Sequence, residues 1–138
     1  MTLEEARRQL QAGLAEGTSC PCCGQTAKLY KRKLNSGMAR ALIEMCKLGS
    51  VGTDIDIREI DVRGGDYGKL RYWLFVEPGH ETGTWRVTQA GWEFAHDRWW
   101  TAKHAFVYNG VVQGWSDERT KVREALGDHF DFDELWRT

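Results

Sequence analysis

A chain of 138 residues is the size of one domain. It is long enough to bury roughly two thirds of its unfolded surface, so it can fold without disulfides. The formal net charge of −1 by itself argues against an obligate nucleic-acid binder, no apolar run approaches the ~18 residues that cross a membrane, and the start, MTLEEARRQLQAG, is too charged for a secretory signal. A soluble, cytoplasmic protein is expected.

In chain order, Thr2 and Glu5 have the spacing of a capping box, and Leu3, Ala6, Leu10 and Leu14 then share a helical face that Gly17 ends. The stretch TSCPCCGQTAKLYKRKLN reads as a knuckle-like turn running into an alternating strand at Leu29 and Tyr30. Ser36 can cap a helix over GMARALIEMCKLG, with Met38, Leu42, Met45 and Cys46 at three- and four-residue spacing and Gly49 as its stop. DIDIREIDV fits either a capped helix or a short strand. Asp66 then caps YGKLRYWLFVE, a helix in which Leu70, Trp73, Leu74 and Val76 line a core.

PGHETG is a hairpin tip, TWRVT a strand, and WEFAHDRWW a helix on which Trp92, Ala95 and Trp99 share a face, with Trp100 extending it. The aromatic cluster reads first as core, although adjacent Trp99 and Trp100 cannot both point inward, which leaves one for an interface. Asn109-Gly110 between apolar runs is a strong hairpin signal, because both residues tolerate the positive φ of a type I′ turn. TKVREALG is a short helix, and Asp131 with Glu134 forms a second capping box before DELW.

From Met38 to Phe94 the order is helix, short helix, turn, helix, strand, loop, strand, helix. Here the chain resembles winged helix-turn-helix proteins of the MarR and PadR type. The matching residues are KLRYWLFVE (Lys69 to Glu77) and TWRVTQAG (Thr84 to Gly91), with Thr88 and Gly91 in the Thr-x-x-Gly places that open the helix after the wing. Leu74 stands where those families have glycine, and the wing tip holds Glu81 and no Lys or Arg. The flanking CPCCGQ…LYKRKLN and EALG…FD…EL are similar to stretches in small phage and prophage proteins.

With the winged-helix core that the resemblance implies over 36–100, the chain reads as one α+β domain over residues 1–138, the core being preceded by an N-terminal helix and Cys-rich turn (1–35) and followed by a hairpin with two short helices (101–138). The resemblance also implies a small regulator or accessory protein that reads duplex DNA with a short recognition helix and dimerises through its terminal helices.

On that reading Lys69 and Arg71, with Tyr67 and Tyr72 beside them, face base edges. Lys31, Arg32, Lys33, Arg63 and Arg86 hold phosphates. The charge distribution allows such a face. From Lys28 to Tyr72 ten basic residues stand against six acids, and from Gln113 onward seven acids stand against four bases. The competing reading is a protein-interaction module, an adaptor or inhibitor that does not bind DNA. It predicts scattered charges and an exposed aromatic patch.

CPCCG makes zinc a candidate cofactor, with Cys20 and Cys23 as ligands, because two thiolates on one tight turn can reach a tetrahedral ion. His96 and His104, read at the end of the helix after the wing, or a second subunit would complete the site. A reduced dithiol and an idle turn are the alternatives. Cys46 reads as core. Asp54, Asp56, Glu59 and Asp61 read as solvated acids rather than a divalent-ion site. No phosphate loop, nucleophile elbow or His-Glu-x-x-His is present, so no catalytic residues are assigned.

Overall fold

The structure is a computed structural model that describes residues 18–19, 26–27, 29–60 and 66–137. The expected N-terminal helix, Cys20, Cys23 and Arg63 lie outside the described residues. Strands β1 (Thr18–Ser19) and β2 (Thr26–Ala27) pair antiparallel. β3 (Tyr30–Lys33) leads to helix α1 (Ser36–Leu48). Asn35 caps this helix in place of the expected Ser36, its Oδ1 accepting from the Met38 amide at 2.9 Å. Asn35 has the extended backbone a cap needs, while Ser36 is already helical.

Met38, Leu42, Met45 and Cys46 are buried as their spacing predicts, and so are Ala39, Ala41 and Ile43. Helix α1 is therefore the centre of the core, and burying each large aliphatic side chain is worth about 1.5–3 kcal/mol. Burial also pushes the Cys46 thiol up to about 12.

The next segment combines both expectations for DIDIREIDV. β4 (Ile55–Asp56) is followed by a single 3₁₀ turn, Ile57–Glu59. Asp66–Trp73, read in the sequence as a helix, is 3₁₀ rather than α. It ends at Leu74, whose φ of 63° lies in the left-handed region that favours glycine. Leu70, Trp73 and Val76 are buried as expected, but Leu74 is turned outward and is 64% exposed.

β5 (Val76–Pro78) and β6 (Thr84–Val87) form a hairpin, and β4 adds to its far side to give an antiparallel sheet of order β4-β6-β5. Helix α2 (Gln89–Ala95) follows at once. Thr88 caps it, with Oγ1 accepting from the Gly91 amide at 3.2 Å and donating to the Leu74 carbonyl. Gly91 packs against the backbone of Phe75, where a Cβ would collide with the carbonyl oxygen. The Thr-x-x-Gly step is thus a cap plus a close helix–strand approach, closed on the core side by Phe75 and Phe94 stacked 4.8 Å apart.

The helix expected to reach Trp100 stops at Ala95. His96 is its C-cap, and Asp97 turns to a φ of 62°. Beyond it, β7 (Thr101–Ala102) pairs with β10 (Arg119–Thr120). β8 (His104–Tyr108) and β9 (Val111–Trp115) form the hairpin predicted at Asn109-Gly110, with φ of 50° and 75°. β3 joins its other side, giving a second antiparallel sheet of order β3-β8-β9.

Helices α3 (Val122–Leu126) and α4 (Phe132–Arg137) close the chain against α1. The expected Asp131 cap is in place, accepting from the Glu134 amide at 2.9 Å. α4 is fixed by Lys47 Nζ, which donates to the Leu135 carbonyl at 2.9 Å, and by the His96 ring, held 4.5 Å from both Trp92 and Trp136. The whole is a mixed α+β fold in which small sheets flank one buried helix.

Candidate functional site

In a 3₁₀ helix, residues three apart eclipse one another. Asp66–Trp73 therefore shows three ridges. Tyr67, Leu70 and Trp73 face inward, with Tyr67 edge-on to Trp85 at 6.4 Å. Lys69 and Tyr72 form a half-buried flank. Gly68, Arg71 and, just beyond, Leu74 form the outward ridge. The two basic residues expected to read bases thus lie on different sides of the segment. Arg71 is exposed, with its guanidinium 5.3 Å over the Tyr72 ring and its tip beside Gly110 of the β8–β9 turn.

The β5–β6 hairpin does not leave Arg86 available. Its Nε is 2.5 Å from Asp54 Oδ1, and its terminal nitrogen lies against the His80 ring. The other Asp54 oxygen accepts from the His80 amide at 3.1 Å. The Arg86 guanidinium and then the His80 amide hold the Asp54 carboxyl down to about 2. In the adjacent turn the Asp56 side chain accepts from both the guanidinium and the amide of Arg58, which lowers it to about 2. Asp54 and Asp56, read from the sequence as merely solvated, are therefore partners of arginines.

Lys31, Arg32 and Lys33 are all exposed on β3, an edge strand. Arg32 lies 5.0 Å over the Tyr30 ring on one face, while Lys31 and Lys33 occupy the other. His96 and His104, expected together, are on different elements. His96 is packed between two tryptophans. His104 is on β8, where burial, helped by Lys31, Lys103 and Lys33 and opposed by Glu118, lowers its pKa. Its Nδ1 is buried without a hydrogen-bond partner among the described residues. Among those residues no group of three or more His, Cys, Asp or Glu is placed to hold a metal ion.

The feature that sequence reasoning missed is a cleft of about 330 Å³ bordered by Trp73, Leu74, Trp99, Trp100, Trp115 and Arg119. Trp73 is its buried floor, with Nε1 donating to the Ala102 carbonyl at 2.7 Å. Because α2 stops early, both Trp99 and Trp100 reach the surface, 49% and 44% exposed. Trp115 is 47% exposed and is fixed by donating to the Tyr72 carbonyl at 2.9 Å. Lys121 Nζ sits 5.2 Å over the Trp100 ring. These rings come from three separate stretches, and no local pattern announces their meeting.

Comparison with protein-family models, curated proteins and solved structures gives no match. Among the described residues no helix is long and apolar enough to cross a membrane.

Proposed function

We propose that this chain is a protein-interaction module on a winged-helix-like core, and that its partner docks in the tryptophan cleft. The observation that carries this is the exposure of Leu74, Trp99, Trp100 and Trp115 around one cleft. Tryptophan anchors in a pocket dominate binding energy at interfaces, and a clustered apolar patch is rare on a surface with no partner. The winged-helix part rests on the element order, on the β4-β6-β5 strand order, and on the left-handed backbone of Leu74 at the place where the resembling families have glycine.

Duplex-DNA reading is the second proposal, favoured by the exposed Lys31, Arg32, Lys33 and Arg71. It is the weaker one because a single outward guanidinium offers few donors to base edges, and Arg86 is neutralised by Asp54. Zinc on Cys20 and Cys23 remains a proposal resting on the sequence motif.

The test pairs two measurements on wild type and on Leu74→Gly/Trp99→Ser/Trp100→Ser: capture of a partner, with light scattering for self-association, and anisotropy against duplex DNA at low and raised salt. The module reading expects capture or dimerisation that the triple variant abolishes. Salt-sensitive duplex binding lost in Lys69→Ala/Arg71→Ala, with no partner lost in the triple variant, overturns it in favour of the regulator.

A further inference from the structure

The outer face of the β3-β8-β9 sheet has a different chemistry from the cleft. Along β8, Ala105 and Val107 are buried and face the core. His104, Phe106 and Tyr108 therefore face away from it, since side chains alternate along a strand. The register brings Lys33 opposite His104 and Lys31 opposite Phe106, on that same outer face. The downward pull of both lysines on His104 agrees with this placement.

Phe106 and Tyr108 are half-buried, yet they belong neither to the core nor to the side chains packed against it. Two residues apart, they stand about 6.8 Å from one another, as do Lys31 and Lys33 one strand away. On the other side of Phe106, β9 presents Gly114, the residue next to the bulge at Gln113. Among the described residues a side chain begun at Gly114 would meet nothing within 4 Å, and its φ is not positive, so backbone conformation does not demand glycine there. The result is a row of two aromatic faces with an open slot on one flank and a row of two exposed ammonium groups on the other. Among the described residues neither lysine has an ion-pair partner.

We infer that this face binds single-stranded nucleic acid, with bases stacked on Phe106 and Tyr108, one of them entering the slot over Gly114, and phosphates along Lys31 and Lys33. Aromatic rings on a sheet face beside a cationic row are the arrangement that stacks unpaired bases without reading their sequence. A duplex cannot use the rings, because its bases are already stacked. An acidic peptide would use the lysines and leave the slot empty. This site is independent of the tryptophan cleft.

The test is anisotropy of the full chain with fluorescein-labelled oligo-dT, and with a duplex of equal length, at low and raised salt. Oligo-dT binding should exceed duplex binding. Lys31→Ala/Lys33→Ala should reduce the log–log salt slope by about 1.4, two phosphates' worth for a single strand. Gly114→Val fills the slot without touching a charge and should weaken oligo-dT binding by about 5- to 140-fold, the range of one lost base stack, at an unchanged melting temperature. If Gly114→Val lowers the melting temperature, Phe106→Leu decides, since it keeps apolar volume and removes the ring. Absence of oligo-dT binding at low salt overturns the inference. So does equal affinity for duplex and single strand, or affinity indifferent to the slot and ring variants.

Discussion

Beside the β4-β6-β5 sheet, Arg86 is held by Asp54 and His80, and Arg58 by Asp56. On the β3-β8-β9 sheet, Lys31 and Lys33 stand exposed next to half-covered aromatic rings. Formal charge alone treats these four cations alike. What separates them is whether folding brings a carboxylate within reach. Asp54 and Arg86 are 32 positions apart and meet only because β4 and β6 pair. A hairpin can thus be electrically quiet although it contains an arginine, while an edge strand can be the more available cationic row.

The largest effect is expected where α2 meets the β5–β6 hairpin. Gly91→Ala drives a methyl group into the Phe75 backbone, which cannot move aside as a flexible side chain would. It should cost about 3 kcal/mol, the upper end of overpacking, as a fall in the denaturation midpoint. The β4-β6-β5 sheet should lose hydrogen-exchange protection before the β3-β8-β9 sheet does.

Acid should also distinguish the two sheets. Asp54 and Asp56 have carboxyls lowered from 3.8 to about 2, so the stability they lend is complete above pH 4 and is lost as pH falls from there towards 2. His104 has a folded pKa below its ordinary 6.5, so the unfolded chain binds the proton more readily and stability falls as pH drops below about 6.5. A pH series of urea midpoints should show both declines, and Asp54→Asn should remove part of the more acidic one only.

Asp54→Asn sharpens the contrast in another way. It removes the carboxylate from Arg86 and leaves that charge unpaired on β6. Duplex affinity should then rise by a few-fold at low salt and the salt slope should steepen by up to ~0.9, read by anisotropy. An unchanged slope would mean that the β5–β6 hairpin faces no phosphate even with its arginine released.

Leu74→Gly should have the smallest effect on stability. Relief of a left-handed leucine offsets the greater freedom of glycine in the unfolded chain, and the side chain is mostly exposed. The change should stay within about 1 kcal/mol by denaturant titration, while the cleft loses its most exposed apolar side chain.

Local signals in the sequence carried much of the fold. The three- and four-residue spacing of Met38, Leu42, Met45 and Cys46, the Asn109-Gly110 turn, and the caps at Thr88 and Asp131 each depend on neighbours within a few positions. The 3₁₀ form of Asp66–Trp73 was hidden because Tyr67, Leu70 and Trp73, spaced by three, suit a helix of either period. The end of α2 was hidden because Trp92, Ala95 and Trp99 continue a helical pattern past Asp97, where no glycine marks the turn. The cleft was illegible for a further reason. It is assembled from the end of the 3₁₀ segment, the stretch after α2 and the end of β9, and a tertiary meeting of that kind leaves no trace in local spacing.

The burial of Cys46 has a practical consequence for the cysteine-rich stretch that precedes β3. A thiol with a pKa of about 12 inside the core is nearly all protonated at neutral pH and out of reach of alkylating reagents while the chain is folded. Iodoacetamide added to the native protein therefore reports on Cys20, Cys22 and Cys23 with no background from the fourth cysteine. Counting labelled thiols by mass, with and without a chelator, would read out metal occupancy of that stretch directly.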